Sequence, residues 1–111
     1  MVKKLIDFEV ALNRLGNDEE FLLEMLDELM TQFDESIPDL HDAITNSDFA
    51  NVRILAHGMK GASSSLGADR IADYFQLLEK KGSDQNLDGA DELMEEIKLT
   101  FAEMKGEIEK Y

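Results

Sequence analysis

The sequence predicts an all-α fold, an antiparallel four-helix bundle with a short extra helix at its N-terminus. Apolar residues recur at steps of three and four through most of the chain, and no segment alternates with the period of a strand. There is a single proline. Glycine and Asn/Asp stops divide the periodic stretches into one short and four longer segments joined by short connections. The 111 residues suffice for one domain with its own core. A single domain over 1–111 is expected, with its core from about residue 5 to residue 110.

The first helix is expected from about Phe8 to Leu15, stopped by Gly16. Asn17 reads as an N-cap, with Glu20 three residues on as a capping box. The second helix then runs to about Asn46. Leu22, Met25, Leu29, Phe33, Ile37, Leu40 and Ile44 form its stripe. Pro38 lies inside that stripe and should bend or restart the helix. Ser47 or Asp48 caps a third helix, about Phe49 to Leu66, with Gly67 as a left-handed stop. A fourth helix, about Asp69 to Lys81, shows Ile71, Phe75 and Leu78. Gly82 to Asp88 reads as a turn. The last helix, about Gly89 to Lys110, carries Leu93, Ile97, Phe101, Met104 and Ile108.

The net charge is −14 and there are no cysteines. Such acidity argues against nucleic acid or an anionic membrane as partner. Disulfides and thiolate metal sites are excluded. No apolar run approaches the ~18 residues of a membrane span, and no signal-peptide pattern is visible, so a cytoplasmic protein is expected. The acids are also unevenly placed. From Phe49 to Ala68 there is no Asp or Glu, although the chain has 25. Arg53 and Lys60 make that window locally basic.

His57 lies within it, in His57-Gly58-Met59-Lys60-Gly61-Ala62-Ser63-Ser64-Ser65-Leu66-Gly67-Ala68. At 100° per residue, Val52, Leu55, Met59, Ala62 and Leu66 fall on one face and predict the buried stripe. His57 falls roughly opposite. Arg53, Lys60, Gly61 and Ser64 fall within about 60° of it. Neutral imidazole is a nucleophile at pH 7 and can attack phosphorus. A lysine one turn away can reach phosphoryl oxygens. Gly61 costs the helix about 1 kcal/mol relative to alanine but leaves room beside the nucleophile. The plainer alternatives are a surface histidine and glycines that serve close helix packing.

The pattern His57-x-x-Lys60-Gly61-x-Ser63-x-x-x-Gly67-Ala68 resembles the signature of histidine-containing phosphotransfer (HPt) domains of bacterial and fungal phosphorelays. The resemblance covers nearly the whole chain. It implies a phosphohistidine at His57, stabilised by Lys60, with Gly61 keeping the surface open to a partner. It also implies a Gln or Glu from the next helix at the imidazole nitrogen that is not phosphorylated, and Glu79 stands there. Ser63, though part of the pattern, points away from His57 and reads as structural, while Ser64 is better aimed. Such domains exchange phosphoryl groups with a receiver-domain aspartate of a response regulator or hybrid kinase, and the receiver brings the Mg²⁺. No intrinsic cofactor and a monomeric state are expected. The sequence has no Gly-rich nucleotide loop, so no ATP-dependent kinase activity of its own is expected. Arg53, Gly61, Ser64, Phe8 and Leu12, and also Leu15, are candidates for docking, the last three otherwise reading as a cap on the bundle.

A second motif is present. Asp84-x-Asn86-x-Asp88-Gly89-x-x-x-x-x-Glu95 matches the EF-hand calcium-loop pattern. Asp91 at the loop's usual apolar position, the polar entering helix and the lack of a second loop weigh against it. Its alternative is a turn with Asp88 as N-cap. A calcium-binding helical module and a non-catalytic acidic adaptor are the competing readings of the chain. His41, beside Asp39 and Asp42, reads as a surface residue.

Overall fold

A computed structural model describes residues 3–111. Helices α1 (Phe8–Arg14), α2 (Glu19–Thr45), α3 (Phe49–Ser65), α4 (Asp69–Ser83) and α5 (Ala90–Lys110) follow one another, and no strand occurs among the described residues. The four longer helices form a closed ring. α3 lies along α4, α2 packs on α3, α5 on α4, and α2 meets α5. Short connections make successive helices antiparallel. α1 packs across α2.

The core follows the expected periodicity. Leu22, Leu29, Phe33, Leu40, Ile71, Phe75, Leu78, Ile97 and Met104 are buried. Phe33 is their aromatic centre, edge-on to Phe101 at 4.9 Å and tilted against Phe75 at 5.8 Å. Side chains of this size each contribute about 1.5–3 kcal/mol on burial. On α2 the buried face also takes in Leu26, Met30 and Ala43, with Met25, Ile37 and Ile44 only half-buried.

Several local expectations need correction. The N-cap of α2 is Asp18, whose carboxylate accepts from the Phe21 N–H; Asn17 instead adopts φ 62°. Asparagine tolerates that left-handed conformation, and the ionised oxygen of Asp18 is the stronger cap. Pro38 does not restart the helix, because α2 is continuous through it. Of the two candidates before α3, Asp48 caps and Ser47 takes a positive φ. α5 begins after Gly89 at φ 80°, without a side-chain cap from Asp88.

Gly82 belongs to α4 and not to a turn. A Cβ there would lie 2.8 Å from the Arg53 amide nitrogen and 2.9 Å from the Phe49 carbonyl oxygen. The glycine therefore lets α4 press against the first turn of α3. The buried face of α3 is also turned from the expected stripe. Ala56 and Ser63 are fully buried, while Leu55 and Ala62 are only half-buried. Small residues on this face suit the close approach to α4. Ser63 donates its hydroxyl to the Met59 carbonyl at 2.7 Å, so its burial strands no polar group.

The α3–α4 turn is fastened to the N-terminal segment. Asp7 N–H donates to the Gly67 carbonyl at 2.9 Å. Gly67 has φ 73°, and a Cβ on it would meet Asp7 O at 2.8 Å. Glycine is thus required both by conformation and by contact.

Candidate functional site

The α3–α4 hairpin sets the geometry of the site. Ala68 lies midway in sequence between His57 and Glu79, so two antiparallel helices turning there bring these positions side by side. His57 Nδ1 lies 2.9 Å from Glu79 Oε2. Lys60, one turn further along α3, donates to Glu79 Oε1 at 2.6 Å. One carboxylate thus holds both groups, one on each oxygen.

The three side chains differ in exposure. His57 is 67% exposed, whereas Lys60 and Glu79 are 29% and 22% exposed. The Lys60 ammonium, and then the imidazole, hold the Glu79 carboxyl below the ordinary glutamate value against the opposing cost of partial burial. Glu79 is therefore ionised at neutral pH and accepts only. A neutral imidazole in this pair must carry its proton on Nδ1, which leaves the lone pair of Nε2 on the exposed side of the ring.

The surroundings are open. Cβ atoms built on Gly58 and Gly61 would meet nothing within 4 Å. Packing between helices therefore does not account for either glycine. Gly106 on α5 is equally open, so openness alone marks no site; what distinguishes Gly58 and Gly61 is their place beside His57. An open cleft of about 480 Å³ adjoins Lys60 and Gly61 and is lined also by Ser64, Gln76 and Arg14. Arg14 reaches across from α1 and donates to the Ser64 carbonyl at 2.7 Å.

Of the expected docking residues, Arg53, Gly61 and Ser64 are exposed on α3. Phe8 and Leu12 are half-buried against the core, and Phe8 stacks face to face on Tyr111 at 4.4 Å. Leu15 is half-buried and lines a neighbouring groove between α1, α2 and α3. Sequence reasoning missed Ile54, which lies one turn before His57 and is 55% exposed. The signal was available, because an isoleucine off the apolar stripe of an amphipathic helix has no core to enter. It also missed Arg14, whose partners are backbone carbonyls fifty residues away.

Charge is segregated by helix. α2 carries nine acids and no Lys or Arg, and α5 seven acids against three lysines. α3 carries two cations and no acid, and on α4 three of each balance. The α3–α4 side is therefore the non-acidic side of an acidic protein.

In the 84–95 segment, lysines occupy the loop. Lys80 Nζ pairs with Asp84 at 2.7 Å, Lys81 Nζ donates to the Asp88 carbonyl at 2.6 Å, and the Asp88 N–H donates to Asn86 Oδ1. Among the described residues no three His, Cys, Asp or Glu side chains converge as a metal site, and no helix is long and apolar enough to cross a membrane.

Comparison with known proteins agrees with this architecture. The Hpt domain family model matches residues 24–107. The crystal structure of histidine-containing phosphotransfer protein B (HptB) from Pseudomonas aeruginosa PAO1 superposes with a TM-score of 0.84 at 29% identity, over 96% of each chain. The phosphorelay intermediate protein rdeA of Dictyostelium discoideum is 23% identical over 101 residues, 91% of this chain. The chain spans 40% of that relative's length. With the family model matching most of its length and the HptB bundle superposing end to end, the chain belongs to the Hpt domain family, the histidine phosphotransfer domains of phosphorelays.

Proposed function

We propose that this chain carries a phosphoryl group on His57 Nε2 and exchanges it with the aspartate of a receiver domain. The observation that carries the reading is the 2.9 Å contact between His57 Nδ1 and Glu79 on an otherwise open helix face. It leaves the opposite ring nitrogen as the exposed nucleophile.

In the step, Nε2 attacks the phosphorus of an aspartyl phosphate. A P–N bond forms, the P–O bond to the aspartate breaks, and its electron pair stays on the receiver's carboxylate. Nδ1 keeps its proton, so the ring becomes positive as the bond forms. Glu79 stabilises that charge and fixes the ring, as a buried acid does behind a catalytic histidine. Lys60 neutralises the phosphoryl oxygens. Phosphoryl transfer has a loose, in-line transition state, so positioning and charge compensation are the protein's main contribution. The receiver supplies the Mg²⁺; this chain needs no cofactor of its own and makes no phosphate bond from ATP.

Docking is placed on the α3–α4 side, with Arg53, Ile54, Gly61 and Ser64 around the nucleophile. An anionic phosphoaspartate site is best met by the non-acidic face, and the acids of α2 and α5 disfavour approach from behind. The chain acts as a cytoplasmic monomer. The test is incubation with a phosphorylated receiver and Mg²⁺. Acid-labile phosphate should appear on the wild-type chain and not on His57→Gln; equal labelling of the two refutes the assignment.

A further inference from the structure

Residues 3–15 lace the α3–α4 hairpin on both arms and at its turn. On α4, Arg70 Nε donates to the Lys3 carbonyl at 3.0 Å, and Lys3 Nζ pairs with Asp73 at 2.9 Å. In the turn, the Gly67 carbonyl accepts from the Asp7 N–H. On α3, Arg14 donates to the Ser64 and Ser65 carbonyls at 2.7 and 3.3 Å. The last four carbonyls of a helix have no partner within it, and the last turn of α3 has no basic residue of its own. Ala62 O accepts from the Ser65 hydroxyl, Ser63 O from the Leu66 and Ala68 N–H groups, and Ser64 O from the Gly67 N–H. Ser65 O is met by Arg14. α1 thus caps α3 from outside, as a basic side chain at a helix C-terminus does from within.

The same segment is lightly held. α1 has seven residues, too few to stay helical unless docked. Ile6 and Ala11 are buried, while Phe8, Leu12 and Leu15 are half-buried. The Lys3–Asp73 pair is half exposed and contributes little. Gly16 and Asn17, with φ 72° and 62°, join the segment to α2.

We propose that residues 3–15 are a latch, which opens as one unit about Gly16–Asn17 while α2 to α5 stay packed. Opening frees the last turn of α3 and withdraws Lys3 and Arg14 from the cleft beside Gly61. With the latch closed, Lys3, Arg14 and Lys60 face Asp69 and Asp73 there. With it open, Lys60 alone faces the two carboxylates, so the net charge of the cleft changes sign. The latch does not depend on phosphorylation of His57.

Native-state hydrogen exchange of the full chain tests this at three sets of amides. Ala11 and Leu15 report the latch. Gly67 and Ala68, whose N–H groups bond to Ser64 O and Ser63 O, report the turn. Phe33 and Phe75 report the core. Latch and turn should share one opening constant, about ten-fold or more above that of the core. Arg14→Ala removes an exposed side chain. It should raise that constant about two- to ten-fold, the range for one hydrogen bond, by the same factor at latch and turn. Ile97→Val alters a buried residue of α5 about four turns from Tyr111. It should speed the core amides about two- to ten-fold and leave latch and turn unchanged, because their opening keeps the core packed. Any of three results overturns the proposal: latch amides as slow as the core, latch amides accelerated by Ile97→Val, or an Arg14→Ala effect confined to the latch or to the turn.

Discussion

Glu79 Oε2 meets His57 Nδ1 at 2.9 Å across the α3–α4 interface, because the two residues stand equally far from Ala68 on opposite arms of one helical hairpin. The contact decides which imidazole nitrogen is free. Replacing Glu79 by alanine removes both the acceptor and the charge that would stabilise the ring. Phosphoryl acceptance from a receiver should fall about ten- to a hundred-fold, in line with about 1.5–3 kcal/mol for a hydrogen bond to a charged group. Glu79→Gln should lose less, since an amide oxygen can still accept from Nδ1. Rates for Glu79→Ala equal to wild type would remove the orienting role.

The same carboxylate makes stability depend on pH. Its folded-state pKa is depressed, chiefly by Lys60. A group depressed in this way adds stability at pH values above its unfolded value, about 4.3 for glutamate, and that stability is lost as pH falls through the lower folded value. The difference in unfolding free energy between wild type and Glu79→Gln should be level above about pH 5 and shrink below about pH 4.3. Urea titrations by circular dichroism across pH 3–7 would show it. A difference unchanged down to pH 3 would mean that the ion pair does not contribute.

Much of this was legible in the sequence, because it depends on short-range rules. Helical period located all five helices, and the wheel placed His57, Arg53, Gly61 and Ser64 outward. What it missed depends on neighbouring helices. The wheel put Leu55 in the core, but the approach of α4 selected Ala56 and Ser63. Gly82 looked like a turn residue, since a glycine that admits a neighbouring helix has the same letter as one that ends its own. Asn17 and Asp18 are both good caps, and a choice between them requires backbone angles. Glu79 was legible only through the family resemblance, which implies a Gln or Glu of the next helix at the imidazole. The hairpin explains the pairing afterwards, since positions equidistant from a tight turn face each other. That Glu79 also takes Lys60 was not legible, because a shared carboxylate is a matter of ångströms.

Gly82 gives a prediction of its own. Any added Cβ meets backbone of the first turn of α3 at 2.8–2.9 Å, and backbone cannot rotate away as a side chain can. Gly82→Ala should destabilise by about 1–3 kcal/mol, as overpacking does, although alanine is the better helix former. Thermal unfolding should show a lower Tm. A raised Tm would mean that α3 and α4 separate at no cost.

Arg53 tests the docking face. It is exposed, four residues before His57, in the window without acids. Arg53→Glu should leave the fold unchanged, since the side chain supports no packing. Facing an anionic receiver site, the new carboxylate should raise the KM for the phosphorylated receiver about ten-fold, with transfer within the complex little altered. Stopped-flow or quench kinetics over a range of receiver concentrations separate the two. A fall in the saturated rate alone would place Arg53 in the chemistry and not in docking.

Gly58 and Gly61 set stability against access. Neither side chain position meets an atom within 4 Å, and each glycine sits inside α3, where alanine is better by about 1 kcal/mol. Gly58→Ala and Gly61→Ala should therefore both raise the Tm, by a few degrees each for a domain of this size. Their effects on transfer should differ. Gly61 lies on the His57 face one turn away, so its new methyl group enters the open space beside His57 through which a receiver would approach. Gly58 points about 100° aside. Gly61→Ala should slow phosphoryl exchange several-fold in a protein that is more stable than wild type, and Gly58→Ala should slow it less. Exchange at the wild-type rate in stabilised Gly61→Ala would show that the glycine does not keep the approach to His57 open.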